Sequence, residues 1–368
     1  MFVTRYILLY IAFLVFGNAA FSQDEIKKQR NYVIEPRVHY GNVLPFYDAI
    51  RYLVYDHAKG FELRIGFPAY GDDFWEKIYR YPVTGVGYSC WTLGNKEVFG
   101  VAHALYGYFD ASLFRIKGYS VLNYQISFGA SYLTEKFDVE TNYLNRAIGS
   151  DINVYFRIGL DFQLKLCERT SLRLESGFSH FSNGKVKSPN YGLNAFTASL
   201  GVNYLLGHAP ETFKEPDLPS ENKPFSQSLV FSAGSKVYDN LTGNRYFLSS
   251  FSYNIDWNWK HKRKLGIGAD LFYDASIAEA LAMEGILHEN KADFLRIGIH
   301  GSHAIRYKKM MLGIDIGHYI YSKYTDLSLV YNRLSLQYLL TDHFLANVAL
   351  KSHLAKADFI EWGIGYHW

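Results

Sequence analysis

The chain has 368 residues, 49% hydrophobic and 17% aromatic, with a formal net charge of only +3, too small to imply a nucleic-acid partner. With 20% charged residues and a mean hydropathy of −0.11, a polytopic helical membrane protein is excluded, because such chains need repeated apolar runs of about 20 residues. The 31 Tyr, 27 Phe and 30 Gly against 9 Pro point to many strands and tight turns. Two cysteines, Cys90 and Cys167, allow at most one bridge and form no CxxC or CxxH pair, so neither a metal nor a cofactor is indicated.

The first 23 residues read as an export signal: a short cationic start over Met1 to Arg5, an apolar core over Tyr6 to Phe16, and a small, polar stretch with cleavage expected after Ala20 or Gln23. The mature chain then starts near Asp24. From Ile152 to Leu166 the even positions are apolar (Ile152, Val154, Phe156, Ile158, Leu160, Phe162), while the odd ones include Asn153, Arg157, Asp161 and Lys165. This period of two predicts a long strand with one apolar and one polar face. The same alternation returns at Phe251 to Trp259, at Leu312 to Ile316 and at Ile360 to Trp368. Strands of this length suit a tilted crossing of a bilayer, and a closed barrel satisfies every backbone group there, which predicts an all-β transmembrane antiparallel barrel. The terminal Trp368, closing an alternating strand, resembles the assembly signal of outer-membrane barrels, which implies the barrel assembly machinery as a partner.

Coarse counting gives about eight strands before Leu206 and about eight after Ser228. Between them, residues 208–227 hold four prolines (Pro210, Pro216, Pro219, Pro224) and read as a linker, so the expected units are 24–207 and 228–368. The second eight strands form either a second barrel or part of one larger barrel. Ser276 to Glu289 is the clearest helical insert, expected in an outward-facing loop.

The segment from Leu172 to Asn194 carries the candidate chemistry. Alternation puts Leu172, Leu174, Phe178, His180 and Ser182 on one face of one strand, and Asn194, Phe196, Ala198 and Leu200 on the matching face of the next. Both apolar faces should look outward at lipid, so His180, Ser182 and Asn194 are polar groups on the lipid side, clustered at the connecting loop. Residues i and i+2 on a strand lie roughly 7 Å apart and point the same way, within reach of an imidazole and a hydroxyl. A serine becomes a nucleophile only when an adjacent base takes its proton and a third group fixes that base. Spacing alone favours a plainer reading, turn residues (Asn183-Gly184, Pro189-Asn190) with a His and Ser resting among headgroups.

The run His180-Phe181-Ser182-Asn183-Gly184, followed by Lys187, Pro189-Asn190 and Gly192, resembles the signature of the lipid A 3-O-deacylase (PagL-like, acyloxyacyl hydrolase) family of outer-membrane barrels. Pro82, Gly85, Gly87-Tyr88, His103 to Gly107 and Ala147-Ile148-Gly149 look similar too, so the resemblance spans about residues 30 to 207. It implies an eight-stranded barrel with an outward-facing site acting on lipid A or lipopolysaccharide among outer-membrane lipids. In that site Ser182 is the nucleophile, His180 the base and Asn194 the third member, with Asn183 and Gly184 as oxyanion contributors. Lys185, Lys187 and Asn190 then face substrate, the lysines meeting lipid phosphates. Asn194 departs from the family, whose well-known members carry an acid there, and Glu175 lies on the wrong face to replace it. A membrane ester hydrolase and a non-catalytic barrel, porin-like or structural, with a relic motif are the two functions this leaves.

Overall fold

The computed structural model describes residues 31–368 except 117–119, 185, 208–212, 219–223, 238–243, 287–290, 324–327 and 355. The expected signal segment, Lys185 and much of the linker lie outside the described residues. Sixteen antiparallel strands close into two separate barrels of eight, which decides the one-barrel or two-barrel alternative in favour of two. They run β1 (Tyr32–Val43), β2 (Ala58–Pro68), β3 (Val83–Leu93), β4 (Val101–Ile116), β5 (Ser120–Leu133), β6 (Ile152–Lys165), β7 (Thr170–Ser182) and β8 (Leu193–Leu206) in the first barrel. The second holds β9 (Phe225–Val237), β10 (Arg245–Trp259), β11 (Arg263–Asp274), β12 (Leu295–Tyr307), β13 (Met310–Ser322), β14 (Val330–Leu339), β15 (Phe344–His353) and β16 (Lys356–His367). Each barrel closes by pairing its own first and last strands: β1 with β8, where Val38 faces Leu200, and β9 with β16, where Phe231 faces Ile364.

The alternation read from the sequence becomes an inside and an outside. On β6 to β8 the outward Leu160, Leu174, Phe196 and Leu200 are exposed, while the inward Arg157, Asp161, Arg173 and Glu175 are buried. A barrel of eight strands is just wide enough for side chains to fill, and here ion pairs fill it. Arg37 pairs with Glu35, Asp161 and Glu175, Arg157 with Glu175 at 3.0 Å, and Arg173 with Asp161 and Asp110. Buried charges persist only when paired in this way. The glycines of β3 have a matching reason: a Cβ on Gly87 would lie 2.4 Å from the Tyr106 ring, and one on Gly85 2.8 Å from the Tyr108 ring. Both tyrosines fold inward against these gaps and are buried.

Loops of unequal length mark the two ends of the first barrel. Residues 44–57, 94–100, 134–151 and 183–192 all connect at one end, where Ile50, Leu93, Phe99, Ala147, Ile148 and Leu193 form a buried apolar cap. At the other end the connection after β2 contains the short helix Phe74–Ile78. Residues 213–218, taken above as linker, partly belong here: Lys214 donates its backbone N–H to Tyr70 at 2.8 Å, and the Phe213 ring lies 4.5 Å from that of Tyr81. The segment stays exposed, and these specific contacts, which its prolines and charges do not reveal, hold it to the barrel.

The second barrel is also polar inside. Lys236 bridges Asp274 and Asp358 at 2.9 and 2.7 Å, and Asp270 holds His300 at 2.7 Å and Arg333 at 3.0 Å. The helical insert shortens to Ile277–Met283, whose Ile277, Ala280 and Leu281 pack on Phe294. Because the first barrel closes on itself, residues 24–218 should fold alone in detergent and migrate faster on gels before boiling than after. An aggregated fragment, as an open-edged half barrel would give, would contradict this closure.

Candidate active site

Strand pairing alone assembles the site. On β7 and β8, His180 sits directly opposite Asn194. Ser182 lies two residues beyond His180 on the same outward side and faces Val154 across β6, as His180 faces Phe156. The imidazole is a bridge: His180 Nδ1 is 2.6 Å from Asn194 Oδ1, and Nε2 is 2.8 Å from Ser182 Oγ. An amide oxygen can only accept, so Nδ1 carries the proton and Nε2 presents its lone pair to the serine hydroxyl. This is the tautomer a general base needs. Ser182 and Asn194 are buried and His180 is half-buried, which strengthens both hydrogen bonds relative to water.

The surrounding loops hold these groups in place. The Asn194 carbonyl accepts from the Leu44 N–H at 2.8 Å, while Tyr191 and Gly192 donate to the carbonyls of Arg146 and Ala147 at 3.2 and 2.9 Å. Arg146 and Ala147 thus brace the residues that lead into β8. Gly192 has φ +76°, and a Cβ there would lie 2.9 Å from His180 Cε1. Only glycine lets the backbone pass so close beneath the ring. Tyr191 also stacks on Tyr47, with centroids 4.4 Å apart.

The other predicted site residues are placed less directly. Asn183 follows the serine, but its backbone N–H donates to Asn190 Oδ1 at 3.0 Å and its side-chain amide to Ser150 Oγ at 2.8 Å. Asn190 therefore braces the turn after Ser182. Ser150, which sequence reasoning did not single out, anchors Asn183 from the loop between β5 and β6. Gly184 adopts φ +61° and begins the turn. Lys187 lies on the same loop, and Lys185 is outside the described residues. Glu175 points inward to Arg37 and Arg157, on the face opposite His180.

The fold and the site together define an outer-membrane β-barrel with a serine, histidine and asparagine on its outward face. The family profile described as lipid A 3-O-deacylase (PagL) matches residues 59–203, and the profile of the acyloxyacyl hydrolase C-terminal domain matches residues 225–368. The chain belongs to this PagL-type acyloxyacyl hydrolase family, and it is an integral outer-membrane protein. Among solved structures, the Neisserial surface protein A is similar at 11% identity and a TM-score of 0.32, covering 47% of this chain and 96% of its own. The outer-membrane enzyme PagL is similar at 16% identity and a TM-score of 0.30, covering 45% of this chain and 97% of its own. No curated protein matches the chain.

Proposed function

We propose that this protein is an outer-membrane ester hydrolase that removes an acyl chain from lipid A or a related lipid, with Ser182 as nucleophile and His180 as general base. The observation that carries the reading is the single imidazole held between Asn194 at 2.6 Å and Ser182 at 2.8 Å on the lipid-facing side of the barrel. His180 Nε2 takes the Ser182 proton as Oγ attacks the ester carbonyl, then returns it to the leaving alkoxide. Water releases the acyl group in the second half of the reaction, with His180 again as base. Charge developing on the carbonyl oxygen needs donors beside Ser182. Asn183 and Gly184 are the residues adjacent to it, and for Asn183 to serve, its N–H must exchange the Asn190 oxygen for the substrate's. The outward position suits a substrate whose chains never leave the bilayer, with Lys187 and Asn190 on the headgroup side and Lys185 expected to share their substrate-binding role. Assembly through the terminal strand by the barrel assembly machinery belongs to the same reading.

The neutral Asn194 favours the competing view of a non-catalytic barrel with a relic motif, because an amide orients the imidazole but lends no charge to the imidazolium. The two readings separate on fatty-acid release from purified lipopolysaccharide by the refolded protein. The hydrolase releases acyl chains, and Asn194→Ala slows release by about 10- to 100-fold, the worth of one charge-assisted hydrogen bond. Asn194→Glu keeps or raises the rate. Absence of release by both the wild type and Asn194→Glu would favour the relic.

A further inference from the structure

A concentration of positive charge at one rim of the second barrel is independent of the hydrolase reading. The turn between β10 and β11 reads Lys260-His261-Lys262, followed by Arg263, and the turn between β12 and β13 reads Lys308-Lys309, preceded by Arg306. Strand pairing makes them neighbours: β11 lies beside β12, with Arg263 opposite Ile305, and the Arg306 N–H donates to the Lys262 carbonyl at 2.8 Å. Lys260, Arg263, Lys308 and Lys309 are exposed. Asp342 is the one acid in the three tight turns of this rim, which also include residues 340–343.

The turn conformations make these lysines costly. Lys260, His261 and Lys308 have φ of +49°, +55° and +52°, positions in tight hairpin turns that are better served by Asn or Gly. Long cations therefore occupy sites that turn formation alone would give to other residues.

Their height relative to the bilayer is set by aromatic side chains. Trp257 and Trp259 project outward from the end of β10 with 50% and 40% exposure, and Phe344, Tyr366 and Trp368 are exposed at the same rim. Tryptophan and tyrosine belts of this kind sit at the headgroup level. The Arg263 guanidinium lies 5.6 Å above the Trp259 ring, so the charge begins at that level. Short turns of outer-membrane barrels face the periplasm, which puts the cluster against the inner leaflet.

We propose that the β10–β11 and β12–β13 turns form a basic collar that binds the phosphodiester headgroups of anionic glycerophospholipids in the periplasmic leaflet. The charge is complementary, and basic side chains beside an anionic surface attract it within a Debye length. A soluble acidic protein would have to displace the lipid that the belt already contacts.

The test uses the full chain in phosphatidylcholine vesicles doped with phosphatidylglycerol, and reads tryptophan quenching when either lipid carries brominated acyl chains. The collar predicts several-fold stronger quenching per brominated phosphatidylglycerol than per brominated phosphatidylcholine. It predicts that the excess fades with added salt, and that a combined Lys260→Glu, Lys262→Glu, Lys308→Glu and Lys309→Glu protein loses it. The corresponding four Lys→Arg changes retain it, which separates loss of charge from loss of fold. Equal quenching by the two lipids in the wild type, including the case in which the collar serves an acidic protein, overturns the proposal. So does abolition of the excess by inorganic phosphate at the ionic strength where sodium chloride leaves it intact, since that marks a free-anion site.

Discussion

Ser182→Ala is expected to reduce ester hydrolysis by about 10³-fold or more while leaving membrane insertion and heat-modifiable migration unchanged, and His180→Ala should do the same. The two act as one unit. Without Oγ there is nothing to attack the carbonyl, and without the imidazole the hydroxyl keeps its proton. Combining the changes should cost little more than either alone, in contrast to the additivity expected of independent sites. Initial rates of fatty-acid release by the three proteins, each checked for folding by its gel shift, decide the matter. Near wild-type rates for Ser182→Ala would remove Ser182 from the chemistry, whatever its distance from His180.

The largest expected effect on stability lies inside the first barrel. Arg37 is fully buried and joins Glu35, Asp161 and Glu175. Arg37→Met keeps much of the side-chain volume but leaves three buried carboxylates short of a counter-charge. Removing one partner of a buried pair costs about 3–5 kcal/mol. The urea midpoint for unfolding from detergent should fall accordingly. Lys59→Ala, which breaks the exposed 2.7 Å pair with Asp56, should leave the midpoint nearly unchanged, because solvent screens an exposed pair. Equal effects of the two changes would mean that the interior network does not hold the barrel.

These two predictions rest on features of unequal legibility in the sequence. The outward placement of His180, Ser182 and Asn194 follows from alternation alone, because a period of two assigns a face to every residue of a strand. The same rule excluded Glu175 as the third member. Closure into two barrels was not legible: alternation is identical whether β1 pairs with β8 or with a more distant strand, and pairing is a long-range choice. The partners of Arg37 were hidden for the same reason, Glu175 being 138 residues away. The loop bracing was hidden too. Asn190 looks like an exposed turn residue until its side chain is seen accepting from Asn183, and Ser150 has no pattern of its own. The segment 213–218 reads as linker by composition, yet it is held by backbone and aromatic contacts to Tyr70 and Tyr81. Its sequence does not announce them.

Mass spectrometry of lipid A from cells expressing the wild-type protein, the Ser182→Ala protein or neither shows whether Ser182 removes an acyl chain in the membrane. The wild type alone should yield lipid A lighter by a single acyl chain, with the Ser182→Ala spectrum matching that of cells without the protein. Identical spectra in all three, or the same loss of mass from the Ser182→Ala protein, would contradict it.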